Sequence, residues 1–244
     1  VGVTPARGLI ADEAIREICN RVEALGGYVS YKDNADGSRS PYELNINYLD
    51  ALGDPEVEDE KIGKIADRFL ASQSIMLALQ GVPGIYYHSL LGSRSWKQGV
   101  DLTGRYRTIN RQKLNLQTLR EELNDRNTLR YMVFYGYLEM LRVRGTSAGG
   151  CFDPHARQII LDIDERLMSI FRQRSNGRAN VLCLTNLSMD DVTFDLTDIK
   201  LSLSEAVQWH VIFARNGTLY DEDSGPNIWM GPYGILWLLV EMSD

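Results

Sequence analysis

Apolar and polar positions alternate with two different periods along this chain, and the change between them divides it. From Ala11 to Leu25 the apolar residues Ile15, Ile18, Val22 and Leu25 recur at helical spacing. Asp12 and Glu13 open that run and Gly26-Gly27 closes it, which suits the dipole and the last carbonyls of a helix. Tyr28 to Tyr31 reads as a short extended piece, and the polar, turn-rich stretch from Lys32 to Pro41 reads as a loop. After the acidic run Glu56 to Glu60, expected to be a solvated helix start, Ile62 to Leu79 predicts one long amphipathic helix.

That helix leads into Gly81-Val82-Pro83-Gly84. The apolar and aromatic segment from Gly84 to Ser89 then predicts a strand buried on both faces, as in a parallel sheet, with His88 and Ser89 at the mouth of the following loop. Gly92 to Gln112 reads as a long irregular loop rich in Arg and Gly, and loops of that length in compact proteins tend to be functional. Leu116 to Leu123 and Asn127 to Arg144 are predicted helices. Beyond Gly145 the texture becomes short runs of Val, Ile, Leu, Phe and Thr punctuated by Gly, Asn and Asp, which predicts antiparallel strands in a sandwich or small barrel. Leu167–Arg174 and Ala179–Leu187, joined through Asn176-Gly177, read as a hairpin with a type I′ turn. A domain boundary is expected between 145 and 150, giving domains 1–147 and 148–244.

A chain of 244 residues can bury a sizeable core. Its net charge of −7 argues against nucleic acid as a partner, because neutralising phosphates takes a basic surface. Cys19, Cys151 and Cys183 are scattered without metal-ligand spacing, the pattern of reduced, buried thiols in a cytoplasmic protein. No apolar run reaches membrane-spanning length, and no metal or cofactor is called for; Gly234 to Val240 suits a core strand. The chain opens on Val1 rather than methionine, without the layout of a signal peptide, so residues before Val1 are expected to be missing.

Three motifs occur in order: Ser40-Pro-Tyr-Glu-Leu-Asn-Ile-Asn-Tyr-Leu-Asp-Ala-Leu52, Gly81-Val-Pro-Gly-Ile-Tyr-Tyr87 and Ile109-Asn-Arg111. Together they resemble the sucrose phosphorylase group of the α-amylase superfamily of glycoside hydrolases. The strings Ser30-Tyr-Lys-Asp-Asn34 and Tyr87-His-Ser-Leu-Leu-Gly-Ser93 resemble its glucosylglycerate-cleaving branch. The resemblance spans residues 1–145 and weakens beyond. It implies an α/β plus all-β protein, the last βα units of a (β/α)8 barrel followed by a C-terminal antiparallel β-sandwich. It also implies cleavage of an α-glucoside by inorganic phosphate, giving α-glucose 1-phosphate and an acceptor such as glycerate or fructose. Retaining chemistry of this kind needs a carboxylate nucleophile and a carboxylic acid close together. By the same resemblance Val1-Gly2-Val3 falls just after the motif carrying a third carboxylate, so the chain is expected to hold none of the catalytic set and to be inactive alone.

The resemblance also marks candidate binding residues. Tyr42 corresponds to a tyrosine that helps hold phosphate, and a phenol beside Arg39 makes a plausible anion pair, with Glu43 next to it; the plainer reading is a packed tyrosine and a solvated arginine. Arg111, with Asn110, corresponds to an arginine bonded to glucose hydroxyls, and a planar five-donor group suits vicinal oxygens; otherwise it is a loop-fixing ion pair. His88 is a candidate donor to the acceptor or its carboxylate, set against a hydrogen-bonded structural histidine. Trp209, Trp229, Tyr233 and Trp237 fit a β core better than a sugar-stacking face. Two functions stand against each other: the C-terminal part of a phosphorylase acting on a small α-glucoside and phosphate, as monomer or homodimer, or a non-catalytic β-sandwich module that binds carbohydrate or protein.

Overall fold

The computed structural model describes residues 3, 6, 8–54, 57, 60–146, 150–174, 179–199, 207–222 and 225–242. They fall into two compact units, one of residues 1–65 with 86–134, the other of 66–85 with 135–244.

In the first unit the apolar face of helix α1 (Asp12–Ala24) packs onto a hairpin of β1 (Tyr28–Asp33) and β2 (Arg39–Asn45). Ile15, Cys19 and Val22 meet Val29 and Ile46 in its core. Fully burying side chains of this size stabilises by roughly 1.5–3 kcal/mol each. Gly26 ends α1 at φ +75, and at Gly27 a Cβ would fall 2.9 Å from that of Ile46, so the close approach of helix and strand needs both glycines. The polar stretch from Lys32 to Pro41, expected as a loop, is mostly this hairpin. Its turn is closed by Asn34 N donating to Ser38 O at 2.8 Å and by the Asp36 carboxylate accepting from Ser38. Cross-strand bonding to β1 overrode the turn-forming composition.

Helix α2 (Tyr48–Ala51) follows, its Leu49 N–H capped by Asn47 Oδ1 at 3.0 Å. Helix α3 (Ile62–Ala78) lies where the periodicity puts it. The expected buried strand from Gly84 to Ser89 does not form. Tyr86 has extended backbone, but it opens a short helix, α4 (Tyr87–Leu90), and Tyr87 is 52% exposed. Strand pairing is a property of neighbours, and among the described residues no segment offers 84–89 a ladder. The stretch from Gly92 to Gln112 is more ordered than expected. It holds α5 (Lys97–Thr103), ended by Gly104 in the left-handed region, and a 3-10 turn over Tyr106–Asn110. Gly99 masks α5 in the sequence, yet a Cβ there would sit 2.1 Å from the Trp96 ring. Helices α6 (Leu116–Asn124) and α7 (Leu129–Thr146) match the predicted helices.

The second unit is built on one antiparallel sheet of β3 (Arg157–Leu161), β4 (Leu167–Gln173), β5 (Ala179–Asn186), β6 (Val192–Asp195), β7 (Val207–Glu222) and β8 (Gly225–Met242), in the order β3-β4-β5-β8-β6 with β7 paired to β8. The β4–β5 pairing is the predicted hairpin, while its Asn176-Gly177 turn lies outside the described residues. Among the described residues the strands form one curled sheet rather than the two stacked sheets expected, and its long strands serve both halves. β8 pairs with β5 through 235–241 and with β6 through 227–230, and β7 follows it along both stretches. Asn216-Gly217, which reads as a break between short strands, is an irregularity inside β7. There Asn216 takes φ +48 opposite the β8 segment Gly231 to Gly234, in which Tyr233 takes φ +54. Asn186 Nδ2 fixes this corner by donating to Gly231 O at 2.9 Å.

One face of the sheet buries Leu182, Leu184, Ile228, Met230, Leu236 and Leu238. The other buries Trp237 among Phe152 and Phe213, with Ser74 of α3 bonded to Thr185 of β5 at 2.7 Å. Burial on both sides is why Gly234 to Val240 is uninterruptedly apolar. No helix among the described residues is long and apolar enough to cross a membrane.

Candidate functional site

Strand β2 contains a bulge that bears on the candidate residues. Ser30 pairs with Glu43 and Tyr31 with Pro41, so Tyr42 opposes no residue of β1. Such an extra residue kinks the strand and re-aims its side chain. The Tyr42 phenol acts on the guanidinium of Arg107, and Arg107 Nε donates to Glu43 Oε2 at 2.7 Å. That bond and the Glu43 charge raise the arginine above its ordinary value, with Tyr42 adding to the effect.

The 3-10 turn is fixed against the hairpin from two directions. Tyr106 stacks on Tyr28 with ring centroids 4.6 Å apart and planes 8° from parallel. Asn110 donates from Nδ2 to Ile46 O at 3.1 Å, and its own carbonyl accepts the Tyr86 hydroxyl at 2.7 Å. Burial raises the Tyr86 phenol, Tyr87 adds to the rise, and the nearby Arg111 guanidinium opposes it. These contacts set an open cleft of about 440 Å³ between β2, α4 and the turn, lined by Glu43 to Tyr48, Tyr86, Ser89, Arg107, Asn110 and Arg111.

The floor of the cleft has its own support. Asp50 accepts from Arg94 Nε and, at 2.5 Å, from Ser95 N, while Ser95 Oγ accepts from Asn47 N at 3.0 Å. The cleft therefore presents two guanidiniums, three asparagines, two phenols and one carboxylate, Glu43, which is committed to Arg107. Amides and guanidiniums in this density suit hydroxyl-rich ligands. Two carboxylates about 5 Å apart, the requirement of retaining glycoside cleavage, are not part of it. No group of three metal-ligating side chains occurs among the described residues.

Of the six residues marked from the sequence, Glu43, Asn110 and Arg111 line this cleft. Tyr42 stands beside it through Arg107. Arg39 does not reach it: it lies at the far end of the hairpin, 3.2 Å from the Asp33 carboxylate and over the Tyr31 ring. His88 does not line the cleft either. It is buried, with Nδ1 2.9 Å from Ser93 Oγ, and its titration is lowered by burial and then by the Arg130 charge. Arg130 itself donates to Ser93 Oγ at 3.2 Å and pairs with Glu122 at 2.6 Å. Sequence reasoning missed Arg107, Tyr86, Tyr48 and the Asn45/Asn47 pair. The spacing of Arg107 and Arg111 inside one short segment was the available signal for the first. In the second unit Trp237 and Tyr233 are buried, Trp209 packs on the sheet core, and Trp229 is the most exposed of the four.

No family model matches the chain. It is 40% identical over 241 residues to a glucosylglycerate phosphorylase of Spirochaeta thermophila, covering 98% of this chain and 40% of that protein. It is 23% identical over 206 residues to the sucrose phosphorylase of Streptococcus mutans, covering 84% of this chain and 39% of the other. The crystal structure of sucrose 6F-phosphate phosphorylase from Thermoanaerobacter thermosaccharolyticum superposes with a TM-score of 0.58 at 20% identity, over 75% of this chain and 33% of that one. The chain is thus related in sequence to part of the glucosylglycerate and sucrose phosphorylases, and it shares the fold of the corresponding part of a sucrose 6F-phosphate phosphorylase. Its curated relatives at 37–40% identity are glucosylglycerate phosphorylases, and it spans 32–40% of their length.

Proposed function

We propose that this chain is the C-terminal part of a cytoplasmic, retaining α-glucoside phosphorylase and supplies substrate-binding groups rather than the catalytic carboxylates. In this reading residues 1–147 belong to a (β/α)8 catalytic barrel and residues 148–244 form the domain that follows it. The substrates of the whole enzyme are an α-glucoside, with glucosylglycerate the leading candidate, and inorganic phosphate. The carrying observation is the cleft in which Glu43, Asn110 and Arg111, contributed by two separate motifs of the family pattern, come together with Tyr86 and Arg107. The identity to glucosylglycerate phosphorylases supports the same reading. Buried Trp237 and Tyr233 weigh against a sugar-stacking β module.

The chain incubated with glucosylglycerate and phosphate should form no glucose 1-phosphate above a blank. It should bind D-glucose in a calorimetric titration, and Arg111→Ala should weaken that binding at least tenfold. Turnover by the chain alone, or glucose binding untouched by Arg111→Ala, overturns the proposal.

A further inference from the structure

We infer that the outer face of the β6-β8-β7 part of the sheet is a saccharide platform, on which Trp229 stacks against a pyranose ring while Thr193 and Thr218 bond its hydroxyls. It lies in the second unit, shares no residue with the cleft, and stands or falls independently of the reading proposed for that cleft. Trp237 and Tyr233 are buried and Trp209 packs on the sheet core, but Trp229 is 36% exposed.

Strand register builds the platform. Thr193 of β6 and Thr218 of β7 each pair directly with Trp229 of β8, so the three side chains form one row across three strands. Residues paired in this way hold their Cβ atoms about 5 Å apart on one face. Ile228 and Met230, on either side of Trp229, point into the core, which turns the row outward, and both threonines are exposed. The next row on the same face, Asp195, Asn227 and Tyr220, adds an amide and a phenol, while the Asp195 carboxylate accepts from Thr197 N and Oγ1 at 2.7 Å. The indole lies along β8. A Cβ at Gly231 would fall 3.0 Å from its Cη2 and 3.1 Å from its Cζ2, so the glycine is what lets the ring bed down on the strand. A ring bedded in this way turns its other face to solvent. That electron-rich face suits the C–H edge of a pyranose, and the threonine hydroxyls can donate to or accept from the hydroxyls on the sugar's rim.

Size and charge identify the occupant. An exposure of 36% on an indole of about 250 Å² leaves about 90 Å². That is roughly a tenth of what each side of a stable protein interface buries. The row carries no cation in a chain of net charge −7, so neither an anionic membrane nor nucleic acid is drawn to it. One ring with hydroxyls on both sides matches one sugar ring.

The test uses the chain with its indole nitrogens labelled with 15N and Arg111→Ala installed, so that sugar held by the cleft does not enter the reading. The Trp229 indole N–H resonance, assigned by its loss in Trp229→Phe, is followed by NMR during titration with maltotriose, cellotriose and glycerol. One or both trisaccharides should move it saturably below ~50 mM, and glycerol should leave it in place. Which of the two acts separates an α-linked from a β-linked ligand. Trp229→Ala should weaken trisaccharide binding about tenfold by calorimetry, with Trp229→Phe retaining part of it. Thr193→Val with Thr218→Val keeps the strands and the indole, and should raise the midpoint of the resonance shift about threefold; this variant decides the matter if Trp229→Ala fails to fold. A resonance unmoved by both trisaccharides, or moved equally by glycerol, overturns the inference. So does one that responds only to dilution of the protein, which marks a contact between copies, or binding that survives Trp229→Ala unchanged. Each of these outcomes leaves the reading of the cleft untouched.

Discussion

The Nδ1 atom of buried His88 lies 2.9 Å from the Oγ of Ser93, and that same oxygen accepts a bond from Arg130 Nη1 at 3.2 Å. The imidazole therefore shares its partner with a cation, which burial and charge both make a poor setting for a second positive charge.

Burial first and Arg130 second lower the titration of His88 below its ordinary value. The unfolded chain then binds this proton at about pH 6.5 while the folded chain resists it. The His88 contribution to stability is complete above pH 6.5 and is lost as pH falls below it. Thermal melts between pH 8 and pH 5 should show a steeper acid-side decline in the native chain than in His88→Gln, which cannot titrate. Parallel curves would refute the assignment.

Gly234 sits at the corner of the curled sheet, where a Cβ would come within 2.4 Å of the Asn216 carbonyl oxygen and 2.9 Å of that of Gly231. Backbone atoms on both sides leave little room to relax. Gly234→Ala should destabilise by about 1–3 kcal/mol or more, measured by urea unfolding. Gly63→Ala, where nothing lies within 4 Å, is the matched control and should be neutral or mildly stabilising.

Arg172 is wholly buried and donates to three main-chain carbonyls, Ala78 O at 3.0 Å, Asp153 O at 2.9 Å and Ala156 O at 3.2 Å. It thereby ties the C-terminal end of α3 to the loop before β3. Arg172→Leu should cost about 2–4 kcal/mol, because buried carbonyls lose a charged donor. Arg172→Lys should rescue little of it, since a single ammonium on a shorter reach cannot serve a planar fork.

Asp50 anchors the floor of the cleft through Arg94 and Ser95. Asp50→Ala should lower stability by about 1–3 kcal/mol in chemical denaturation. It should also weaken glucose binding, because Ser95 in turn holds the Asn47 backbone. Lost stability with unchanged glucose affinity would show that the floor and the binding groups are independent.

The helices were legible because their information is local. Ile15, Val22 and the run from Ile62 to Leu79 carry the 3.6 period, and Gly26, with its positive φ, marks an end that glycine reaches at little steric cost. The motifs holding Glu43, Asn110 and Arg111 were legible too, through resemblance. What the sequence could not fix was anything that depends on a partner strand or a bent one. Gly84 to Ser89 has the composition of a buried strand but gains no ladder, and Asn216-Gly217 has the composition of a turn but becomes an irregularity inside a sixteen-residue strand.

The site divides along the same line. Residue types, charge balance and the positions of α1, α3, α6 and α7 were settled by the order of the amino acids, since propensity and periodicity act over a few neighbours. The tertiary structure alone decided that Arg107 would meet Glu43 from 64 positions away, that Tyr42 would be pushed out of register, and that His88 would turn inward to Ser93. Side-chain geometry between distant segments comes from which surfaces pack together, and that is a property of the folded whole that no local window of sequence contains.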